Sequence, residues 1–374
     1  MVTLHESYGK SSYSVYDLET FFFSTNSVSE KELPTYNAIF KDLHDAIISP
    51  EIVIDSLNRA LQRGAAEDLA IAAMQVADGS LPPEALGPLY ERFGASGEHS
   101  IADEVSPFVT PDLEVLYNET IRTPGLRWRL GFLNQSLGSL RKGDFGFIFA
   151  RPETGKTTFL ASELTYFSGQ SDGRPIVWWN NEEQGNKVQL RLYQAALGIT
   201  LNELIRDRER NQRRFEEAGG TSIKVYDSSA IHRSTVERVV EELKPCLVVF
   251  DQLDKIKGFD DDREDLRLGA IYIWARELAK SYAPVIGVCQ ADGSAEGRKW
   301  LNMDNVSNAK TAKQAEADWI LGIGKSNDRD LEYVRHLHIC KNKLAGDEDT
   351  LPELRHGMCD VRIVPQIARY EDIL

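Results

Sequence analysis

The apolar run Phe145-Gly146-Phe147-Ile148-Phe149 leads directly into Ala150-Arg151-Pro152-Glu153-Thr154-Gly155-Lys156-Thr157. Thr158 and the helical spacing of Phe159, Leu160 and Leu164 follow. A strand, a tight loop and a helix start in that order leave few folds open to the chain. Backbone N–H groups of such a loop wrap phosphates, and the helix turns its positive end toward the same anion. Lys156 is placed to reach the β- and γ-phosphates, and the Thr157 hydroxyl to ligate Mg²⁺. Ala150 through Thr158 is therefore the expected nucleotide-binding segment. Its first position is Ala150 where the pattern has Gly, which keeps the residue small but removes some backbone freedom. A Lys-Thr helix start on a generic loop is the plainer alternative, and the strand and helix on either side weigh against it.

At 374 residues the chain is long enough for two domains. The net charge of −15 is uneven: residues 1–125 hold 20 Asp and Glu against 7 Lys and Arg, and the remainder holds 38 against 36. The acidic first third is a poor nucleic-acid surface, whereas the near-neutral remainder has room for a local basic channel. Cys246, Cys289, Cys340 and Cys359 show no C-x-x-C spacing and read as reduced core residues of a cytoplasmic protein. No signal pattern opens the chain, and no apolar run is long enough to span a membrane.

Residues 1–105 read as an acidic, mainly helical domain whose first 35 or so residues are partly extended, with Tyr16 to Phe23 anchored. The helical pattern from Leu33 to Phe93 breaks at Gly79-Ser80-Leu81-Pro82-Pro83. Residues 106–125 read as a linker with a short amphipathic helix, Pro111 to Ile121. From residue 126 to 374, apolar strands alternate with helices. The expected strands are 145–150, 176–180, 223–226, 247–250, 285–289, 319–323 and 337–340. That alternation predicts an α/β domain, a mostly parallel sheet flanked by helices, with ligands at the carboxyl ends of the strands.

Four of these strand ends carry further chemistry. Ile176-Val-Trp-Trp-Asn180 runs into Asn181-Glu182-Glu183, where a carboxylate can orient the water that attacks a γ-phosphate; an ordinary acidic helix start is the alternative. Leu247-Val-Val-Phe-Asp251 has the Walker B form, with Asp251 in the Mg²⁺ shell. Val285 to Gln290 ends in an amide able to contact the γ-phosphate. Leu337-His-Ile-Cys-Lys341-Asn-Lys343 ends in two lysines that either reach a phosphate held by a neighbouring subunit or form a solvated strand end. His336 and His338 share a face of that strand and read as packing or surface residues.

Together the ordered motifs F-A-R-P-E-T-G-K-T-T-F, W-W-N-N-E-E, F-D-Q-L-D, V-C-Q-A-D-G and C-K-N-K-L-A-G-D resemble the RecA-like P-loop core of hexameric replicative helicases. That group holds the DnaB-type helicases and the helicase half of bacteriophage primase-helicases. The segment from Thr123, with G-F-L-N-Q-S-L-G-S-L-R-K-G-D, is similar to the family's lead-in, so the resemblance covers about residues 110–374. It implies an ATP- or other NTP-hydrolysing, Mg²⁺-dependent DNA helicase, of bacteriophage type and located in the host cytoplasm. It implies a homo-hexameric ring moving 5′→3′ on single-stranded DNA. The roles it implies are Glu182 for the attacking water, Lys156 for the phosphates, Thr157 and Asp251 for Mg²⁺, Gln290 as relay, and Lys341 and Lys343 acting across the subunit interface. The family has Arg where this chain has Lys343; Lys lacks the planar fork, and Arg335 or Arg355 is the alternative finger.

The resemblance further implies two loops facing a central channel. The first, Lys255–Arg267, carries Lys255, Lys257, Arg263 and Arg267, diluted by Asp260, Asp261 and Asp262; the second, Ala291–Lys313, carries Arg298, Lys299, Trp300, Lys310 and Lys313. Mobile basic loops suit phosphate contacts without sequence preference, and Trp300 either stacks a base or packs on its own domain. The linker helix is expected to dock on the neighbouring subunit. A primase, if required, comes from another chain, and the N-terminal domain is the expected docking point for a primase, loader or polymerase. Two alternatives stay open: a RecA-like DNA-dependent ATPase that does not unwind, and a docking scaffold with weak ATPase.

Overall fold

The computed structural model describes residues 15–26, 28–29, 31, 33–45, 50–90, 93, 112–114, 125–259, 263–308 and 310–373. They fall into two compact units, Met1–Pro111 and Asp112–Leu374.

In the first unit, helices α1 (Val15–Thr25), α2 (Leu33–Asp45) and α3 (Pro50–Ala77) follow one another. Phe22 of α1 lies 4.9 Å from Tyr36 and 5.6 Å from Phe40, and Phe23 lies 5.6 Å from Phe40, ring centre to ring centre. The stretch expected to be partly extended thus contains a helix. Its serine and threonine hydroxyls donate back to the Phe21 carbonyl from Ser24 (2.8 Å) and Thr25 (2.7 Å), closing the last turn instead of opposing it. At the far end α3 stops before Gly79, which takes a left-handed φ of 81°, as the glycine–proline break requires. Most of the linker helix, Pro111 to Ile121, lies outside the described residues, and so does its expected docking contact.

The second unit is built on one nine-stranded sheet. Its strands are β1 (Phe145–Ala150), β2 (Ile176–Asn180), β3 (Ile223–Asp227), β4 (Leu247–Asp251), β5 (Val285–Gln290), β6 (Trp319–Gly324), β7 (Val334–Asn342), β8 (Met358–Val364) and β9 (Arg369–Asp372). They lie in the order β3-β2-β4-β5-β1-β6-β7-β8-β9. The strands from β3 to β6 in this order pair in parallel, and β7, β8 and β9 continue antiparallel. The helices are α4 (Gly131–Ser136), α5 (Lys156–Phe167), α6 (Gly185–Leu197), α7 (Leu201–Arg206), α8 (Arg208–Glu217), α9 (Arg233–Leu243), α10 (Glu264–Ser281) and α11 (Lys310–Glu316).

Side chains alternate across β1, and that alternation divides the core. Ile148 and Ala150 join Trp128, Leu160, Leu164, Trp178 and Leu192 on the face covered by α5 and α6. Phe145, Phe147 and Phe149 join Trp179, Phe250, Ile271 and Tyr272 on the face covered by α9 and α10. Both faces of β1, β2, β4, β5 and β6 are dry, which explains their near-continuous apolar runs, whereas the outer strand β3 is mostly exposed. The sequence pattern misses β8 and β9. In these edge strands only alternate residues such as Val361, Ile363 and Tyr370 are buried, and Pro365 separates the two runs.

Gly146, at the sheet centre, has the Trp319 indole of β6 against its α-carbon, where a Cβ would overlap the ring. Gly146→Ala is expected to destabilise the second unit by about 1–3 kcal/mol through overpacking, read as a lower urea midpoint without a change in slope.

Candidate nucleotide and DNA site

β1, β2, β4 and β5 are parallel neighbours in the sheet, so their carboxyl ends open along one edge. At the end of β1 the chain turns through Arg151 to Gly155 with two left-handed residues, Glu153 (φ 59°) and Gly155 (φ 105°). At Gly155 the conformation and the space agree, since a Cβ there would stand 2.7 Å from the Ile363 methyl and 3.0 Å from the Tyr370 hydroxyl. Two groups from the antiparallel strands hold the outside of the loop. Arg335 Nε donates to the Thr154 carbonyl at 2.6 Å, and the Tyr370 hydroxyl donates to Gly155 O at 3.3 Å. In a trans peptide the N–H opposes the C=O, so the amides of Gly155 and Lys156 face the inside of the loop.

The buried Lys156 ammonium crosses the loop mouth and donates to Arg151 O at 3.3 Å. Thr157 Oγ1 stands 3.4 Å from Asp251 Oδ2 at the end of β4. Asp251 is fully buried, and its Oδ1 has no hydrogen-bond partner. Burial, then the nearby Glu182 charge, pushes the Asp251 carboxyl up to about 7, and Lys156 opposes the shift. A partnerless buried carboxylate oxygen beside a threonine hydroxyl fits a Mg²⁺ ion that arrives with its phosphates. Among the described residues no group of three His, Cys, Asp or Glu is placed to hold a metal, in line with a cation that takes most of its ligands from phosphate and water.

The turn after β2 separates its two glutamates. Asn180 Nδ2 donates to Glu183 O (2.6 Å) and to Asp227 (3.1 Å), and Asp227 accepts from the Gly185 amide at 2.7 Å. Glu183 is ion-paired with Arg191. Glu182 is exposed and makes no salt bridge with a described residue. Sequence reasoning overlooked the Asn181 side chain, which donates to Gln252 O at 3.1 Å while its own oxygen is buried without a partner. Half-buried Gln290 ends β5 in register with Ala150 of β1.

Several expected residues are placed differently. Arg335 is buried on the carbonyls of its own P-loop and Glu332, so it is not a free finger. Arg355 is exposed and donates to Asn342 O at 3.2 Å. Lys341 donates to the Gln314 and Ala315 carbonyls of its own chain, which leaves Lys343 as the exposed member of the pair. Lys255 leans back to Asn181 O at 3.5 Å, and Arg263 is paired with Asp265 at 2.7 Å. Lys257 is exposed and Arg267 half-exposed.

The second loop is pinned, not mobile. Leu301 is buried, its carbonyl accepts from His338 at 2.6 Å, and Gly322 and Gly324 of β6 leave no room beneath it. Trp300 sets its ring edge-on to His336 at 5.2 Å, so it packs on its own domain, while Arg298 and Lys299 stay exposed. Lys313 is fully buried and ion-paired with Asp254, which removes it from the DNA-facing cations. The Lys310 side chain and Asp260 to Asp262 lie outside the described residues.

A family model described as AAA domain matches residues 106–292, half of the chain. The chain belongs to the AAA domain family. The match runs from the linker through the P-loop, β2, Asp251 and Gln290 to Asp292. The chain is also similar to the replicative DNA helicase DnaB of Buchnera aphidicola. From the subspecies Schizaphis graminum it is 27% identical over 219 residues, 54% of this chain and 46% of the relative. From the subspecies Acyrthosiphon pisum it is 28% identical over 232 residues, 56% and 50%. The chain therefore spans about half the length of the curated relatives it matches. In fold it is similar to a solved DnaB-like replicative helicase described with its interactions with primase, at TM-score 0.57 and 15% identity, over 92% of this chain and 85% of that one. A solved ATPase domain matches at TM-score 0.56 and 15% identity, over 70% of this chain and 95% of that one. At that identity the two structures bear on the fold, which is that of RecA-like helicase ATPase domains.

The raised Asp251 carboxyl has a consequence for stability. Its folded form binds a proton that the unfolded form, at the ordinary value of 3.8, has released. Stability therefore falls as pH rises from about 4 through about 7. Glu163, pushed by burial to about 7, and Asp144, to about 6, act in the same direction. Asp251→Asn is expected to raise nucleotide-free stability at pH 8 by about 1–4 kcal/mol and to change it little at pH 4, as measured by urea unfolding at the two pH values.

Proposed function

We propose that this chain is an ATP-hydrolysing DNA helicase of the DnaB type, which encircles single-stranded DNA as a ring and unwinds duplex at a fork. The observation that carries the reading is the Thr157–Asp251 contact beside the loop, with the other oxygen of Asp251 buried without a partner. That arrangement suits a nucleoside triphosphate with its cation, and the similarity to DnaB supports DNA as what the hydrolysis drives.

The inward amides of Gly155 and Lys156 bind phosphate, and the Lys156 ammonium neutralises the charge that develops on the γ-phosphate. The hydroxyl of Thr157 and the carboxylate of Asp251 would hold Mg²⁺, which when bound draws charge from the phosphate oxygens. Glu182 orients a water for in-line attack and accepts its proton; its free, exposed carboxylate suits that role better than the Arg191-paired Glu183. Gln290 senses the γ-phosphate at the root of the second loop, whose Arg298 and Lys299 contact DNA phosphates together with Lys257 and Arg267 of the first. Lys343 reaches the phosphate of a neighbouring subunit.

The acidic, helical first unit is the docking side for a primase, loader or polymerase, and a bacteriophage replication system is the setting. A RecA-like ATPase that grips DNA without unwinding it is the second reading, favoured by an exposed lysine at Lys343 in place of a forked arginine.

Glu182→Gln is expected to bind ATP as the wild type does and to hydrolyse it at least about tenfold slower in steady-state assays. Undiminished turnover in that variant would reassign the base. Strand displacement on a forked duplex separates the two readings: the helicase releases the displaced strand, and the second reading gives DNA-stimulated hydrolysis without release.

A further inference from the structure

Three residues beyond Asp251, the chain bonds to the far end of the second loop through a buried ion pair. Gln252 leaves β4 in a left-handed conformation (φ 72°) and starts a single turn, Leu253–Lys255. Asp254 on this turn accepts from Lys313 Nζ of α11 at 2.6 Å and from the Tyr272 hydroxyl of α10 at 3.1 Å. The same ammonium donates to Ser307 O at 2.9 Å and lies 5.5 Å from the centre of the Tyr272 ring. The Ser307 amide in turn donates to Gln290 O at 3.1 Å. The path runs from Asp251 along the turn to Asp254, across Lys313 to Ser307, and back to Gln290 on β5.

Lys313 is fully buried, and taking an ammonium out of water is costly. An apolar side chain of similar length would fill the space at less cost, so packing alone does not call for a lysine. What the lysine adds is direction. One cation holds both a carboxylate of the segment after β4 and a carbonyl at the end of the second loop, a distance and angle that an apolar contact does not enforce.

We propose that Lys313 is a positioning residue that clamps the segment after β4 to the end of the second loop, so that a change at the nucleotide site is passed to both DNA-facing segments together. The proposal deepens the motor reading and rests on it for the meaning of the two loops. It differs from a relay through the Gln290 side chain in starting at the Asp251 turn and entering the loop from its other end, and it meets β5 only at the Ser307–Gln290 backbone hydrogen bond.

The test measures amide hydrogen exchange across residues 291–308 of the full chain, with and without a slowly hydrolysed ATP analogue and Mg²⁺. In the wild type the analogue is expected to slow exchange there about tenfold. Lys313→Met is expected to bind the analogue within about threefold of wild type and to lose most of that response. The double variant Asp254→Asn/Lys313→Met leaves no unpaired buried ion, so it serves as the readout should the single variant fail to fold, and it is expected to lack the response as well. A full response in either variant, or none in the wild type, overturns the clamp. DNA-stimulated ATPase of the wild type judges the motor reading separately: no stimulation sinks that reading, while the exchange result still decides whether Lys313 couples the nucleotide site to the loop.

Discussion

A buried carboxylate with one oxygen unsatisfied is the constraint around which the second unit is arranged. Asp251 ends a central parallel strand, so it has neither water nor backbone amides to stabilise its charge. Left alone it holds a proton, and its carboxyl is accordingly pushed to about 7. Among the described residues, the polar side chain bonded to it is that of Thr157, from the helix that starts at the P-loop. A divalent cation brought in by phosphates would satisfy the free oxygen, expel the proton and recover the desolvation cost. A buried carboxyl held near 7 beside a threonine hydroxyl is the kind of group that the proposed cation would stabilise.

The loop that meets this carboxylate depends on the strands furthest from it in sequence. Arg335 on β7 and Tyr370 on β9 hold the Thr154 and Gly155 carbonyls outward. Neither residue touches the phosphate-binding face. A buried guanidinium bonded to carbonyls rather than to a carboxylate is costly, and burial lowers its proton affinity. Its use here makes sense because five donors in a fixed fork fix the peptide orientation, which a flexible ammonium would not do. The antiparallel extension β7–β9 therefore serves as a brace for the P-loop as well as an edge of the sheet.

This division explains what the sequence made legible and what it did not. Phe145–Ala150 and Ile176–Asn180 were readable to the residue because both faces of these strands are dry and every position before the terminal Asn180 is apolar. The motifs at their ends were readable because strand, turn and helix are contiguous. Arg335 was not: its partner lies 181 residues away, and within Val334-Arg335-His336 it looks like one more charge at a solvated edge. Lys313 failed for the same reason, since in Lys310-Thr-Ala-Lys313 a surface cation and a buried clamp have the same letters. The packing of the second loop was not legible because it depends on β6, outside the loop: Gly322 and Gly324 give the clearance that lets the Leu301 segment lie close on the sheet.

The cations that remain free argue for a shallow rather than a deep electrostatic grip. Lys255, Arg263 and Lys313, three of the seven basic residues whose side chains are described along the two loops, are committed to the protein itself. Those left are Lys257, Arg267, Arg298 and Lys299, few for one subunit. A motor that must release and re-bind single-stranded DNA at every hydrolysis step is served by few phosphate contacts per subunit, because each added contact deepens the well from which the strand must escape. In the proposed ring, processivity would come from several subunits holding the strand in turn. The weakness of one subunit's grip and the proposed ring are in that sense the same physical requirement seen at two scales.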